Sequence, residues 1–104
     1  MPASRHTTTR ANDPPVLILT SLASGPKHGY AMIHDIEAMS GVRMGPGTLY
    51  GVLARLEEEG LVEALALEDR RRPYRLTALG AATLRDRLET IASVARIGLA
   101  RLRA

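Results

Sequence analysis

The sequence predicts a mainly α-helical fold that carries one small β-hairpin and ends in a long helix. Three observations lead to it. Three short segments between residues 14 and 60 carry apolar residues at helical spacing and are separated by Gly and Pro. Two apolar runs, 61–67 and 72–76, flank the polar turn Glu68-Asp69-Arg70-Arg71. From residue 78 onward an apolar seam recurs at alternating steps of four and three.

The elements follow in chain order. Asp13 stands before Pro14 and Pro15; an acid at the cap and proline in the first turn mark a helix start, since that turn needs no N–H from proline. This helix is expected over 15–23, with Val16, Leu17, Leu19 and Leu22 on a broad apolar face and Gly25-Pro26 as its stop. A second is expected from His28-Gly29-Tyr30 to Met39. It carries Tyr30, Ile33 and Ile36, or Met32, Ile36 and Met39, at helical spacing, and Gly41 ends it. Pro46 opens a third, expected over 46–59. There Leu49, Val52, Leu53 and Leu56 fall at i, i+3, i+4 and i+7 as one buried stripe, and Gly60 is the C-cap. Its opposite face carries Thr48, Gly51 and Arg55, with Tyr50 and Ala54 at the edge. Residues 61–67 alternate as a strand, and 72–76 return, with Pro73 tolerable on an edge strand. Thr77 caps the last helix, expected over 78–102, whose seam is Leu84, Leu88, Ile91, Ala95, Gly98 and Leu102.

Helix, helix, helix, hairpin, long helix is the order of a winged helix-turn-helix with an appended C-terminal helix. Residues 1–13 read as a mobile polar tail, 14–77 as the winged helix-turn-helix, and 78–104 as a dimerisation helix. At ~1.5 Å per residue the last helix extends on the order of 35–40 Å, longer than so small a domain can cover. A second copy is the simplest cover for its seam, and Leu17 is counted with the seam at that interface.

Composition narrows the functions. The 104 residues are 45% hydrophobic and 24% charged, which are globular values. The absence of cysteine excludes disulfides, zinc fingers, thiolate clusters and a cysteine nucleophile. His6, His28 and His34 lack metal-ligand spacing, and no metal or other cofactor is expected. No catalytic constellation or Gly-rich phosphate loop appears, so no enzyme is expected. No run nears the roughly 20 apolar residues of a membrane helix, and the polar start is no secretory signal. A cytoplasmic protein without membrane contact is the expectation. The net charge of +3 is modest, but Arg70, Arg71, Arg72 and Arg75 cluster at the hairpin while Glu57, Glu58, Glu59, Glu63, Glu68 and Asp69 precede them. Lys27 is the only lysine, and arginine's planar fork suits phosphate and guanine edges.

In this order the residues resemble the PadR family of bacterial transcriptional regulators, in its short form with a single C-terminal helix. The resemblance rests on His28-Gly29-Tyr30, on Pro46-Gly47-Thr48-Leu49-Tyr50, and on Leu53 with Arg55-Leu56-Glu57-Glu58-Glu59-Gly60-Leu61-Val62. It continues through Arg71-Arg72, Tyr74, Leu76-Thr77 and Gly80. Departures are Gly45 where the family has serine, Gly51 where it has proline, and Pro73 where it often has an aromatic. The resemblance implies a dimeric, sequence-specific DNA-binding regulator, a repressor on a palindromic operator. A winged-helix module that binds protein instead of DNA is the alternative. Some relatives sense small aromatic compounds at the dimer interface. With no Trp or Phe, and all three Tyr in the DNA-binding half, a stacking pocket is not expected, and a small-molecule effector stays open.

Double-stranded DNA as partner assigns roles to the residues. Small side chains at Gly47, Gly51 and Ala54 let the third helix settle into a major groove, where Thr48, Tyr50 and Arg55 can bond to bases or phosphates. Lys27, His28 and Tyr30 open the second helix against the backbone, with packing or a helix-start hydrogen bond as the bland readings for Tyr50 and His28. Arg70, Arg71 and Arg72 form a wing suited to a narrow minor groove, against the bland reading of a solvated turn paired with Glu68 and Asp69.

Overall fold

The computed structural model describes residues 12–104; the tail expected over 1–13 lies, except for Asn12 and Asp13, outside them. The order is α1 (Pro14–Leu22), β1 (Lys27–His28), α2 (Gly29–Ser40), α3 (Pro46–Glu58), β2 (Val62–Ala64), β3 (Pro73–Leu76) and α4 (Ala78–Arg103). The helices fall within a residue or two of the sequence expectation.

Helix α1 is central. Val16, Leu17, Ile18, Leu19 and Leu22 are all buried, because the helix packs against α2, α3, α4 and β3 at once. A helix covered on several sides has no polar face to show, which is why its sequence is apolar almost all round. Met32 and Ile36 of α2 and Leu49, Leu53 and Leu56 of α3 close the core around it. Helix α3 stops because Gly60 takes the left-handed conformation, φ 77°. This lets Leu61 donate to the Leu56 carbonyl (2.9 Å) and Gly60 to that of Glu57 (3.0 Å), satisfying carbonyls the helix would leave bare. Gly60 therefore lies one position beyond the C-cap, which is Glu59.

The sheet has three antiparallel strands in the order β1-β3-β2, where the sequence shows a two-stranded hairpin. The extra strand pairs Lys27 with Tyr74 and His28 with Pro73. Two residues carry no alternation, so nothing in the sequence marks them as a strand. Strand β3 is consequently central, not an edge. Pro73 is tolerated because it is the first residue of the strand, and its carbonyl accepts from Leu65 N–H at 2.8 Å. Strand β2 is shorter than the expected 61–67.

Thr77 caps α4 as expected: its hydroxyl accepts from Gly80 N–H (2.9 Å) and donates to the Gly60 carbonyl (2.6 Å). Gly80 is buried against Leu61, and a Cβ there would run into the Leu61 carbonyl oxygen, so only glycine lets α4 sit this close. The first half of α4 closes the core with Leu84, while the distal half projects, making the molecule 55 Å long and 28 Å across.

That division corrects the expected seam. Leu17 (4% exposed) and Leu84 (5%) are buried mainly inside the protomer, Leu84 reaching the surface only at the floor of a groove beside Leu88 and Ala92. Ile91 is half-buried against the core. Leu88, Ala95, Gly98 and Leu102 are exposed, and Ala92 and Leu99 join them on the same side of the helix. An ideal seam centred on Leu84 and Ile91 would face the domain itself, so the exposed apolar line is rotated toward Ala92 and Leu99.

Candidate nucleic-acid interface

Three parts converge: the first turns of α3, the start of α2, and the turn between β2 and β3. In α3, Gly47, Thr48, Tyr50, Gly51, Ala54 and Arg55 are all exposed while Leu49, Leu53 and Leu56 face inward, the division that the helical spacing predicts. No side chain caps its N-terminus at Gly45, so the first-turn amides and the positive end of the helix dipole face outward. At Gly47 and Gly51 nothing within 4 Å would meet an added Cβ, so these glycines leave the helix surface low.

Tyr50 joins α3 to α2. Its hydroxyl lies over buried Gly29, where any Cβ would strike it, yet the side chain is still 45% exposed. It therefore packs α3 against α2 while keeping part of its surface open to solvent. Tyr30, in the first turn of α2, is 63% exposed. Behind them Tyr74 is half-buried. Burial first, then the nearby Glu57 carboxylate and Tyr50, push its hydroxyl above the ordinary tyrosine value, with Arg72 opposing, so the phenol stays neutral.

The turn is tighter than the sequence suggests. Glu68 and Arg71 exchange two backbone hydrogen bonds of 2.8 Å, with Asp69 (φ 48°) and Arg70 (φ 67°) both left-handed between them. This is the two-residue hairpin turn that follows strand twist and normally asks for Asn-Gly. Asp69-Arg70 lacks the glycine, so the sequence signal for it is absent. Arg70, Arg71 and Arg72 are exposed. Among the described residues the ion pairs are Arg43–Glu37 and Arg75–Glu63, so none of the three pairs with Glu68 or Asp69. Arg72 donates to the Leu65 carbonyl at 2.7 Å, which ties it along the hairpin, and Arg71 reaches His28 Nε2 at 3.2 Å.

Lys27 stands apart from the others. Its ammonium donates to the Ser21 carbonyl and to Ser24 Oγ (2.6 Å), closing the C-terminus of α1. Ser21 in turn donates to Asp35 of α2 at 2.6 Å. The expected phosphate ligand is thus engaged in holding α1 to the start of the sheet. His28, for its part, caps α2 through Nδ1, 3.4 Å from Ala31 N–H.

Residues 18–86 match the model of the transcriptional regulator PadR-like family. The chain is 37% identical over 82 residues to the transcriptional regulator Rv3488 of Mycobacterium tuberculosis, covering 76% of each. It is 54% identical over 71 residues to an uncharacterized 37.1 kDa protein in transposon TN4556 of Streptomyces fradiae. That match takes in 68% of this chain but 21% of the other, so the chain spans about a fifth of that protein's length. Among solved structures it is similar to a PadR family transcription regulator from Clostridium difficile, with a TM-score of 0.76 over 86% of this chain and 97% of that one. At 21% identity that likeness is one of fold.

Proposed function

Because the chain belongs to the PadR-like family of transcriptional regulators, whose members are transcription factors and not enzymes, we propose that it is a homodimeric repressor that occludes a promoter by gripping a palindromic operator. Helix α3 enters the major groove, its uncapped N-terminus and Thr48, Tyr50 and Arg55 toward the DNA; the start of α2 meets the phosphate backbone; the wing arginines enter the flanking minor groove. The observation that carries this reading is the wing: three consecutive exposed arginines, beside two carboxylates they do not pair with, in contact through Arg71 with His28 at the start of α2. Adjacent guanidinium groups repel one another, and a polyanion relieves that repulsion. A dimer implies half-sites about one helical turn apart. No helix among the described residues is long and apolar enough to cross a membrane.

A mobility shift with the promoter of the protein's own gene tests the reading, run across a salt series. The wild type should bind, and Arg71→Ala should weaken binding and lower the salt slope by about one. A slope unchanged by that substitution would remove the wing from the interface, and no shift even at low salt would leave the protein-binding alternative.

A further inference from the structure

At His28 two hydrogen-bond donors converge on one ring. Nδ1 lies 3.4 Å from the Ala31 amide nitrogen in the first turn of α2, and Nε2 lies 3.2 Å from a terminal nitrogen of Arg71. Neither partner can accept: a backbone N–H and a guanidinium only donate. A neutral imidazole has one lone-pair nitrogen, so it serves one partner at a time. The register fixes the conflict in place, since His28 pairs with Pro73 across β1 and β3, two residues from Arg71. Glu68 and Asp69 line the same notch of about 280 Å³, but neither forms an ion pair with Arg71.

Resting on the DNA-binding reading above, we infer that His28 is a positioning residue that couples the start of α2 to the wing. In the free protein the Nε2 lone pair, at 3.2 Å, retains Arg71 in most molecules, the ring proton then sits on Nδ1, and the longer 3.4 Å cap contact to Ala31 forms only in the minority tautomer. A backbone phosphate offers the guanidinium a full negative charge and more than one acceptor oxygen, where the imidazole offers a single neutral lone pair, and takes it from the ring. The ring proton then passes through solvent from Nδ1 to Nε2, and Nδ1 closes the cap on Ala31. One nitrogen loses a proton and the other gains one, so the charge of the ring is unchanged. DNA contact by the wing thereby firms the first turn of the helix that meets the neighbouring phosphates.

Long-range proton–nitrogen spectra of the full chain with labelled histidine read the tautomer directly, with His34 as the internal control. In Arg71→Ala the ratio of Nε2–H to Nδ1–H in His28 should rise about fivefold, the factor that one ordinary hydrogen bond is worth, and Ala31 amide exchange should slow by a similar factor. In the wild type, a duplex of about two helical turns at low salt should produce the same change. A ratio that Arg71→Ala leaves unmoved overturns the coupling. A ratio that moves in Arg71→Ala but not in a wild-type complex whose formation is seen by gel shift overturns the handover. A duplex that fails to bind overturns the DNA-binding reading and the handover with it, while the Arg71→Ala spectra still decide whether ring and wing are coupled.

Discussion

Lys27 on β1 and Arg71 in the wing turn are both basic residues that a sequence would place at a DNA face, yet their surroundings give them opposite roles. The Lys27 ammonium is held by Ser21 and Ser24 at the end of α1. Lys27→Ala should therefore lower stability by about 1 kcal/mol, or roughly 4–8 °C in melting temperature for a domain of this size, while leaving the salt slope of duplex binding almost unchanged. Thermal melts beside a salt series check this, and a slope that falls with no loss of stability would return Lys27 to the interface. Tyr74 carries a different signal. Its folded value is raised, so its contribution is intact below the unfolded value of 10.0 and is lost as pH climbs through the folded one. Unfolding midpoints should thus fall above about pH 10, and less so in Tyr74→Phe. Such assignments are only partly legible in a sequence. The exposed face of α3 follows from spacing alone, as Thr48, Gly51 and Arg55 opposite Leu49, Leu53 and Leu56 demonstrate. The capture of Lys27 by α1 does not, because it depends on a turn that brings Ser21 and Ser24 back onto the lysine.

At the level of elements, the order and extent of the helices were written in proline, glycine and apolar period, and the stop at Gly60 was visible because only that residue takes φ 77° without strain. The sheet was less legible. Strand β1 has two residues, too few for any alternation, and the wing turn does without the glycine that its geometry favours. Arg70 at φ 67° bears a cost of about 1–2 kcal/mol for a residue with a Cβ. A strained arginine at the tip of a wing fits selection for its charge over its conformation. Arg70→Gly should therefore raise the urea midpoint by about 1 kcal/mol of stability at unchanged m, and at the same time weaken duplex binding. A variant that gains no stability would mean the turn is not held in this conformation. One that gains stability and keeps full affinity would take Arg70 off the DNA.

For the whole molecule the decisive feature is that α4 does two things along its length. Its first turns complete the core through Gly80 and Leu84, and from there onward it leaves Leu88, Leu99 and Leu102 bare at 38%, 61% and 84% exposure. With Ala92 and Ala95 between them, these residues step by four and three along one side, continuous with a groove of about 550 Å³ formed by Ala23, Leu76, Ala81 and Leu84. Charge sets the direction in which a second copy can lie there. Arg85, Asp86, Arg87 and Glu89 sum to zero in the proximal half, whereas Arg96, Arg101 and Arg103 make the distal end basic. Parallel helices would bring the basic ends together; antiparallel ones set each beside the partner's neutral segment and oppose the helix dipoles. The test uses two substitutions on the same exposed helix turn. Leu99→Asp, like Leu88→Asp, puts a charge into the apolar line and should give monomers by size exclusion with light scattering, with loss of tight operator binding, since one half-site alone contributes too little. Ile97→Asp changes a residue also 47% exposed but about 200° around the helix from Leu99, and should remain dimeric. Equal disruption by both would mean that the distal half is not read by face, and a monomeric wild type would remove the twofold grip on which a palindromic operator depends.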